Sequence, residues 1–468
     1  MAALTENVIN RILSEKQFHF AVKPEQFKII ESIVNKRDTF AVLSTGFGKS
    51  ICYVIPALYY DEINPCKKHT SLVISPLKAL IKDQVQTLKD HNIKACGIYE
   101  GVDKSVVDEI KNGDATVLLA SPEAIISKHW LRVLQDVYKD NIALVAYDEA
   151  HCISEWGLDF REDYRKVGIL QSVLNSPVLT LTATCNTAMK ADIEKILGMS
   201  QVNTISFLPN RSNIFINIQK SSEKYEDELQ WLLTNLRRKG IAMNKTLLYV
   251  NSIGKCEELY IWMHGLLKEK AYDGQLSVDT RMVEMFHAHT DTKSKDRILS
   301  TFCSEGGTIR ILICTVAVGM GINIPDVSIV LIWGLPPSLL QLWQEAGRAG
   351  RDGRSSISVC YAYPRSIALP CDSCRKSGKR KCDCARRTYL RELVSTTECQ
   401  RYHILHTFSL SDENKSELKD LMKMNNTCCS CENLCNRKLC KCCITCVMKC
   451  KCSNRKKSSN EVILSFIR

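Results

Sequence analysis

Short apolar runs recur along the first two hundred residues, and between them apolar residues return every three or four positions. The runs occupy 41–44, 71–75, 116–121, 142–148 and 178–183. Uninterrupted apolar runs of this length are typical of strands buried in a parallel sheet, and the stretches between them are typical of helices. The pattern predicts a doubly wound α/β domain over residues 1–205.

A second series of apolar runs begins after a short interval. These runs occupy 246–251, 283–288, 309–315, 327–333 and 356–363, again with helical stretches between them. The pattern predicts a second parallel-sheet domain over 206–365, and therefore an α/β fold with two such domains in tandem. From residue 366 the composition changes to Cys, Lys and Arg. We expect a small, helical, zinc-binding module over 366–452 and a basic flexible tail over 453–468.

Charge is concentrated at the C-terminal end of the chain. Of the formal net charge of +12, the residues from Cys371 onward contribute 21 Lys and Arg against 10 Asp and Glu. Such an excess suits a polyanion such as nucleic acid, although a solvated surface is the simpler alternative. No apolar run approaches the roughly 18 residues needed to span a bilayer, and the N-terminus lacks a secretory pattern. We expect an intracellular, soluble protein with no membrane partner.

The segment 44–50, SerThrGlyPheGlyLysSer, follows a predicted strand and precedes a helical stretch. This is the context of a phosphate-binding loop, in which backbone N–H groups and a helix N-terminus surround the phosphates. Lys49 would reach the β- and γ-phosphate oxygens and Ser50 would bind Mg²⁺, with Thr45, Gly46, Phe47 and Gly48 forming the loop. Leu43 stands where the strict pattern has Gly, and a chance turn is the alternative.

Two carboxylates, Asp148 and Glu149, end the apolar run 142–148. Open α/β sheets bind ligands at the carboxyl ends of their strands. Asp148 is therefore a candidate Mg²⁺ ligand, and Glu149 is a candidate base that orients and deprotonates water. An acidic turn at a strand end is the alternative. The phosphate loop upstream in the same predicted domain favours nucleoside triphosphate hydrolysis.

The extended segment 148–168, AspGluAlaHisCysIleSerGluTrpGlyLeuAspPheArgGluAspTyrArgLysValGly, resembles the RecQ family of DNA helicases in superfamily 2. The resemblance implies a loop in which Trp156, Phe160 and Arg161 contact unpaired bases by stacking and charge. Packing of Trp156 and Phe160 in the core is the alternative. The family has His where this chain has Leu158, which puts the coupling of DNA binding to hydrolysis in question.

More stretches agree with the RecQ family in order and spacing. Residues 20–26 resemble its adenine-recognition segment, with Gln26 reading the base and Lys23 in place of the usual Arg. Residues 75–84 and 121–123 resemble its strand-gripping loops, with Ser75 and Lys78 as contacts. Residues 181–184 resemble the segment that links hydrolysis to domain movement through Thr182 and Thr184.

The second domain carries 315–323 and 344–353, and the latter, GlnGluAlaGlyArgAlaGlyArgAspGly, is the more specific match. The resemblance assigns Gln344 to the nucleotide. Arg348 and Arg351, spaced three apart on a predicted helical turn, would face the same way. They would act as arginine fingers that stabilise charge on the transferring phosphoryl group. Two surface arginines on a Gly-rich turn are the alternative.

Fifteen of the 24 cysteines follow residue 370, and in a reducing compartment such clusters favour zinc over disulfides. The family resemblance implies one structural Zn²⁺ held by a helix Cys and three loop Cys. We predict Cys399, Cys428, Cys431 and Cys435, with Cys429 or Cys440 as substitutes. An earlier cluster, Cys371, Cys374, Cys382 and Cys384, has CxxC and CxC spacing and could hold a second zinc. For 440–452, a disordered tail that binds metal opportunistically is the alternative.

Taken together, the residues and the resemblance predict an ATP-dependent 3′-to-5′ DNA helicase or translocase that uses ATP with Mg²⁺. The expected partners are single-stranded and tailed duplex DNA, and the expected location is the nucleus. No segment after 452 is long enough for a winged helix, so translocation without duplex separation stays open. A non-catalytic nucleic-acid-binding zinc protein and an RNA helicase are the two competing functions.

Overall fold

The computed structural model describes residues 4–44, 46–154, 162–315, 324, 326–370, 374, 384–428 and 443–444. The chain divides into two compact units. The first comprises the residues up to Pro209 together with Phe408–Glu417, and the second comprises Asn210–Thr407 with the described residues from Leu418 onward. No helix in these described ranges has both the length and the apolar character needed to cross a membrane.

The first unit is built on a seven-stranded parallel sheet with the strand order β3-β4-β2-β5-β6-β1-β7. Its strands are β1 (Thr39–Val42), β2 (Thr70–Ile74), β3 (Ala95–Ile98), β4 (Val117–Ala120), β5 (Ile142–Tyr147), β6 (Val178–Thr182) and β7 (Asn203–Ser206). Its helices are α1 (Glu6–Glu15), α2 (Pro24–Val34), α3 (Lys49–Ile63), α4 (Lys78–Asp90), α5 (Lys104–Lys111), α6 (Pro122–Ile125), α7 (Lys128–Val133), α8 (Glu162–Lys166), α9 (Leu170–Val173) and α10 (Thr187–Leu197).

Helix α3 lies at the centre of the first core. Every residue from Ile51 to Tyr59 is buried, because the helix packs against the sheet on one side and against α1 and α2 on the other. A helix that is apolar all round is stable only when it is covered all round. The phosphate loop therefore leads directly into a helix that is held in place by packing on its sides.

The second unit contains a six-stranded parallel sheet with the order β10-β11-β9-β12-β13-β8. Its strands are β8 (Ile214–Lys220), β9 (Lys245–Val250), β10 (Val283–Phe286), β11 (Ile311–Cys314), β12 (Val327–Trp333) and β13 (Ser356–Ala362). The helices among them are α11 (Tyr225–Glu228), α12 (Gln230–Lys239), α13 (Ile253–Leu267), α14 (Thr292–Cys303), α15 (Leu339–Ala346) and α16 (Pro364–Ala368).

A helical C-terminal region follows, with α17 (Ala385–Ser395), α18 (Gln400–Thr407) and α19 (Asp412–Cys428). Helices α17 and α18 pack against β8. The Gln400 side chain donates to the Ile218 carbonyl at 2.6 Å and accepts from the Ile218 N–H at 3.1 Å, as a neighbouring strand would. Cys443 forms a bridge to Ile216 on the same strand. This edge of the sheet is thus closed by side chains and a short bridge.

The tandem parallel-sheet α/β fold is confirmed, and each of the ten predicted apolar runs overlaps a strand. Three strands were not predicted, namely β3, β7 and β8, and each of them lies at the edge of a sheet. Strand β7 is half-exposed over most of its length, β3 has four residues including Gly97, and β8 carries Asn217 and Gln219 between its apolar residues, so none of the three forms an apolar run. The four-part division of the chain stays a prediction, as does its zinc-binding part.

Candidate active site

The phosphate loop is held in shape by two left-handed glycines. Gly46 and Gly48 have φ angles of 81° and 86°, and Gly48 caps the N-terminus of α3. A Cβ atom on Gly48 would lie 2.7 Å from the Gln26 amide nitrogen, so no larger residue fits there without movement. Lys49 is the first residue of α3, which places its side chain beside the helix N-terminus. Thr45 lies outside the described residues.

The predicted adenine-reading residues contact this loop from the start of α2. The Gln26 amide donates to the carbonyls of Phe47 and Gly48 at 3.0 and 3.1 Å, and its oxygen accepts from the Lys23 N–H at 2.9 Å. The Lys23 ammonium lies 4.2 Å from the centre of the Phe47 ring. Both amide hydrogens of Gln26 are thus used, while its oxygen keeps one lone pair that can accept from an adenine amino group.

Asp148 and Glu149 follow β5 and face the same loop. The Lys49 ammonium lies 3.4 Å from Glu149 Oε1, so the loop and the carboxylates meet in the first unit. Asp148 is 5% exposed, and its buried position raises its pKa, an effect opposed by the Lys49 charge. Glu149 has a φ angle of 48°, a left-handed conformation that costs a non-glycine residue about 1–2 kcal/mol. Strain of this kind is typical of functional positions.

His151 connects the carboxylates to the end of β6. Its Nδ1 lies 3.3 Å from Glu149 Oε2 and 3.1 Å from the Thr182 hydroxyl. The Thr182 hydroxyl in turn donates to the Thr184 carbonyl at 3.0 Å. Burial lowers the pKa of His151, which favours the neutral ring at neutral pH. Sequence reasoning assigned no separate role to His151, although it stands in the same motif as the two carboxylates.

In the second unit, Arg348 and Arg351 do not lie on a helical turn, and this part of the prediction is wrong. Helix α15 ends at Ala346, and both arginines follow it in a series of turns. Gly350, between the two arginines, has a φ angle of 54°, a left-handed conformation that does not continue a right-handed helix. Gln344 lies in the last turn of α15.

Arg211 holds these turns in place, a contact that no motif along the chain indicates. Its guanidinium donates to the carbonyls of Gly347, Ala349 and Gly350 at 3.2, 3.1 and 2.7 Å. Asn213 also donates to Gly350, at 2.8 Å. Four donated hydrogen bonds therefore fix the backbone that presents Arg348 and Arg351.

The predicted strand contacts of the first unit lie at the carboxyl end of β2. Ser75 is buried, and its hydroxyl has no hydrogen-bond partner within the described part of the chain. Lys78 begins α4 and is exposed; its ammonium donates to the Glu100 carbonyl at 2.8 Å and lies 4.9 Å from the centre of the Tyr99 ring. Lys78 also lines a groove with the aromatic residues Tyr99, His129 and Trp130.

Comparison with known proteins agrees with this geometry. Residues 23–191 match the family model described as DEAD/DEAH box helicase, and residues 227–353 match the helicase conserved C-terminal domain. The chain is 30% identical to the ATP-dependent DNA helicase RecQ of Haemophilus influenzae over 73% of its own length and 51% of that protein. It is 31% identical to the putative ATP-dependent RNA helicase R290 of Acanthamoeba polyphaga mimivirus, over 73% of this chain and 57% of that protein.

The chain belongs to the RecQ family. It spans about half the length of these two curated relatives. Among solved structures, the DUF1998 helicase MrfA bound to DNA superposes with a TM-score of 0.61 at 18% identity, covering 88% of this chain and 60% of that one. At this identity the likeness shows the fold alone.

The base-stacking loop that the RecQ resemblance predicts falls on Trp156, Phe160 and Arg161, which lie outside the described residues. Both flanks of this loop are described. Asp192 on α10 accepts from the Ser154 hydroxyl at 2.8 Å and lies 3.5 Å from Arg165. Residues on both sides of the segment 155–161 are therefore tied to α10, the helix that follows Thr182 and Thr184.

Of the four predicted zinc ligands, the side chain of Cys399 alone is described. Cys428 ends α19 without a described side chain, and Cys431 and Cys435 lie outside the described residues, as do Cys371 and Cys382. Cys443, which the prediction did not include among the four, lies with its sulfur 3.8 Å from that of Cys399, and both residues are buried. No group of three or more metal-binding side chains occurs within the described ranges.

The separation of these two sulfurs fits a shared metal ion. Zn–S bonds of about 2.3 Å at tetrahedral angles place two thiolates about 3.8 Å apart. Cys399 and Cys443 thus suit two corners of a zinc site. No spacing rule links them, because they stand 44 positions apart in the sequence and β8 brings them together.

Proposed function

We propose that this RecQ-family chain is an ATP-dependent DNA helicase or translocase that moves 3′ to 5′ along single-stranded DNA. The observation that carries the proposal is the meeting of Lys49 with Glu149, 3.4 Å apart, at the carboxyl edge of the first sheet. The residues present fit ATP with Mg²⁺, because the N-terminus of α3, the Lys49 ammonium and the buried Asp148 carboxylate lie together. Ser50, the second residue of α3, would supply a hydroxyl ligand to the metal. Bound Mg²⁺ would neutralise charge on the β- and γ-phosphates.

The residues of the chain divide the chemistry among them. Glu149 orients a water molecule and accepts its proton as the water oxygen bonds to the γ-phosphorus and the bond to ADP breaks. Lys49 neutralises charge on the phosphate oxygens. Neutral His151 contacts both Glu149 and the Thr182 hydroxyl and so holds Glu149 in place. It thereby connects the proposed base to residues 181–184, the segment expected to link hydrolysis to domain movement. We assign the stabilisation of transition-state charge to Arg348 and Arg351, and nucleotide contact to Lys23, Gln26 and Gln344.

The experiment that tests this function is ATPase activity with single-stranded DNA, measured beside unwinding of a 3′-tailed duplex. We expect DNA to stimulate hydrolysis, and Glu149→Gln to reduce the rate about 10²- to 10⁴-fold while nucleotide binding persists. Hydrolysis without strand separation would identify a translocase. No hydrolysis with any strand would refute the proposal.

RNA is the alternative substrate, because one similar protein is described as a putative RNA helicase. The same ATPase measurement with single-stranded RNA decides between the two. Stimulation by RNA and not by DNA would transfer the proposal to RNA. Salt should weaken binding of either strand, because contact with phosphates releases counterions.

We also propose one structural Zn²⁺ in the C-terminal region, supported by the sulfur–sulfur distance between Cys399 and Cys443. Two further thiolates complete a four-ligand site, and we propose that they come from the predicted Cys428, Cys431 and Cys435. A second zinc at the cluster from Cys371 to Cys384, and nuclear residence of the protein, are further proposals that rest on the sequence.

A further inference from the structure

Helix α4 carries two residues of interest, Lys78 and Gln84, at different positions along its axis. Lys78, proposed to contact the strand, is its first residue, and Gln84 follows six residues later. At 1.5 Å per residue the two positions lie about 9 Å apart along one helix. A hydrogen-bonded helix moves as a unit, so a displacement at Lys78 is also felt at Gln84.

Gln84 contacts the carboxylate proposed to bind Mg²⁺. Its amide nitrogen lies 3.5 Å from Asp148 Oδ2, while Asp148 Oδ1 accepts from the Glu149 N–H at 3.0 Å. The Asp148 N–H donates to the Ile74 carbonyl at the end of β2, at 2.9 Å. The backbone of Asp148 is thus fixed by β2, and the Gln84 amide is the described side-chain group that donates to Oδ2.

The side-chain oxygen of Gln84 is buried. This oxygen has no hydrogen-bond partner within the described part of the chain. An amide oxygen that is buried without a donor is unfavourable, and a bound water molecule or ion is one explanation for such a group in a native protein. Beside Asp148, a water molecule on a bound Mg²⁺ is the donor of suitable chemistry.

We propose that Gln84 is a positioning residue that links strand contact at Lys78 to the orientation of Asp148. The inference rests on the proposed function, since it takes Lys78 as a strand contact and Asp148 as a metal ligand. Strand contact shifts α4, Gln84 turns the carboxylate toward its metal-binding orientation, and Mg²⁺-nucleotide binds more tightly. Because coupling between two binding sites is reciprocal, Mg²⁺-nucleotide must tighten strand binding by the same factor.

The test compares intact wild-type protein with Gln84→Leu, which keeps the approximate size of the side chain and removes the amide. Binding of fluorescent N-methylanthraniloyl-ADP is measured over a range of Mg²⁺ concentrations, with and without a single-stranded DNA oligonucleotide. We expect DNA to tighten Mg²⁺-nucleotide binding about fivefold or more in the wild type. In Gln84→Leu we expect this factor to fall to about one, with DNA-stimulated kcat reduced about tenfold. The affinity for DNA measured without nucleotide should stay unchanged, whereas the affinity for DNA measured with Mg²⁺-nucleotide should fall by the lost coupling factor.

Gln86→Leu is the matched control, because Gln86 lies on the same helix, is exposed, and bonds Asp90. It should leave all of these values unchanged. If Gln84→Leu melts at a lower temperature and also loses DNA affinity, Gln84→Asn replaces it, since Asn keeps an amide but is too short to reach Asp148.

The outcomes separate this inference from the proposed function. A coupling factor in the Gln84 variants equal to that of the wild type would overturn the inference while leaving the function intact. DNA-stimulated hydrolysis without any coupling in the wild type would overturn it too. Absence of hydrolysis in the wild type with every strand would instead count against the proposed function.

Discussion

Among single residues, Glu345 combines deep burial with a carboxyl group that is only partly bonded. Its Oε1 accepts from the Gln341 amide at 2.9 Å, and its Oε2 has no hydrogen-bond partner in the described part of the chain. Burial raises the pKa of Glu345 to about 7, against the opposing effects of Gln341 and the Arg348 charge. Glu284 is also buried, but it pairs with Arg297 at 2.6 Å. Replacement by Gln should therefore change the free energy of unfolding in opposite directions at Glu345 and at Glu284.

The pKa of Glu345 has a defined consequence for stability. An acid whose pKa is raised by folding stabilises the fold below its unfolded value, near 4.5, and this contribution is lost as the pH rises toward 7. The loss is about 3 kcal/mol. We expect Glu345→Gln to become more stable relative to wild type between about pH 5.5 and about pH 8, as measured by urea unfolding.

Glu284→Gln is the matched control and should be destabilised at the higher pH, because it removes the buried carboxylate that pairs with Arg297. A Glu345→Gln variant that is equally destabilised at both pH values would contradict the prediction.

The reactive groups of the first unit were predictable from the sequence, but what holds them was not. Lys49, Asp148 and Glu149 were assigned from local motifs, and the structure places them in one cluster. The bonds from Gln26 to the phosphate loop and from Gln84 to Asp148 join residues that are distant in sequence. Such contacts depend on how helices pack on the sheet, and no spacing along the chain encodes that packing.

At the scale of elements, the turns after α15 depend on one guanidinium. Arg211 supplies three hydrogen bonds to turn carbonyls, and a planar fork suits that task better than an ammonium. We expect Arg211→Lys to lower ATPase kcat about tenfold or more, because Arg348 and Arg351 lose their fixed backbone. Nucleotide binding by the first unit should persist, as measured with fluorescent ADP.

Arg354→Lys is the control for this change. Arg354 lies in the same region, is exposed, and pairs with its neighbour Asp352. Its replacement should leave kcat within about twofold, since exposed ion pairs contribute about 0–1 kcal/mol. Equal losses in both variants would show that Arg211 has no special role.

The predicted elements were most accurate where strands are buried on both faces. The central strands β5 and β12 were predicted within one residue of their observed ends. The missed strands β3 and β7 have four residues each, and β7 is half-exposed over most of its length. These two strands form mainly because they pair with β4 and β1, and their own sequences favour a strand only weakly. A search for apolar runs therefore does not detect them.

For the whole molecule, the C-terminal cysteines bear on stability as well as composition. If Cys399 and Cys443 share one zinc ion, either Cys→Ser change should reduce the zinc content by about one ion per chain, as measured by mass spectrometry of the metal. The melting temperature should fall as well, because Cys443 and the start of α18 both pack on β8. Cys66→Ser, at an exposed position in the first unit, should change neither value. Full zinc content in Cys443→Ser would exclude Cys443 as a ligand.

The chain returns to the first unit long after leaving it. Phe408–Glu417 belongs to that unit, and the Asn414 side chain donates to the Ser206 carbonyl on β7 at 2.9 Å and accepts from the Ser206 hydroxyl at 2.8 Å. About 200 residues separate Pro209 from this segment.

The length of this intervening chain sets a delay during synthesis, between the end of the first unit's sheet and the segment that completes the unit. At about 5–20 residues per second, a ribosome needs roughly 10–40 s to make the intervening chain. During that interval the nascent first unit has β7 at its sheet edge without Asn414, and exposed edge strands are the sites at which chains pair wrongly. The second unit and its helices are therefore made while the first is still incomplete, and the rate of translation sets how long that edge stays open to other chains.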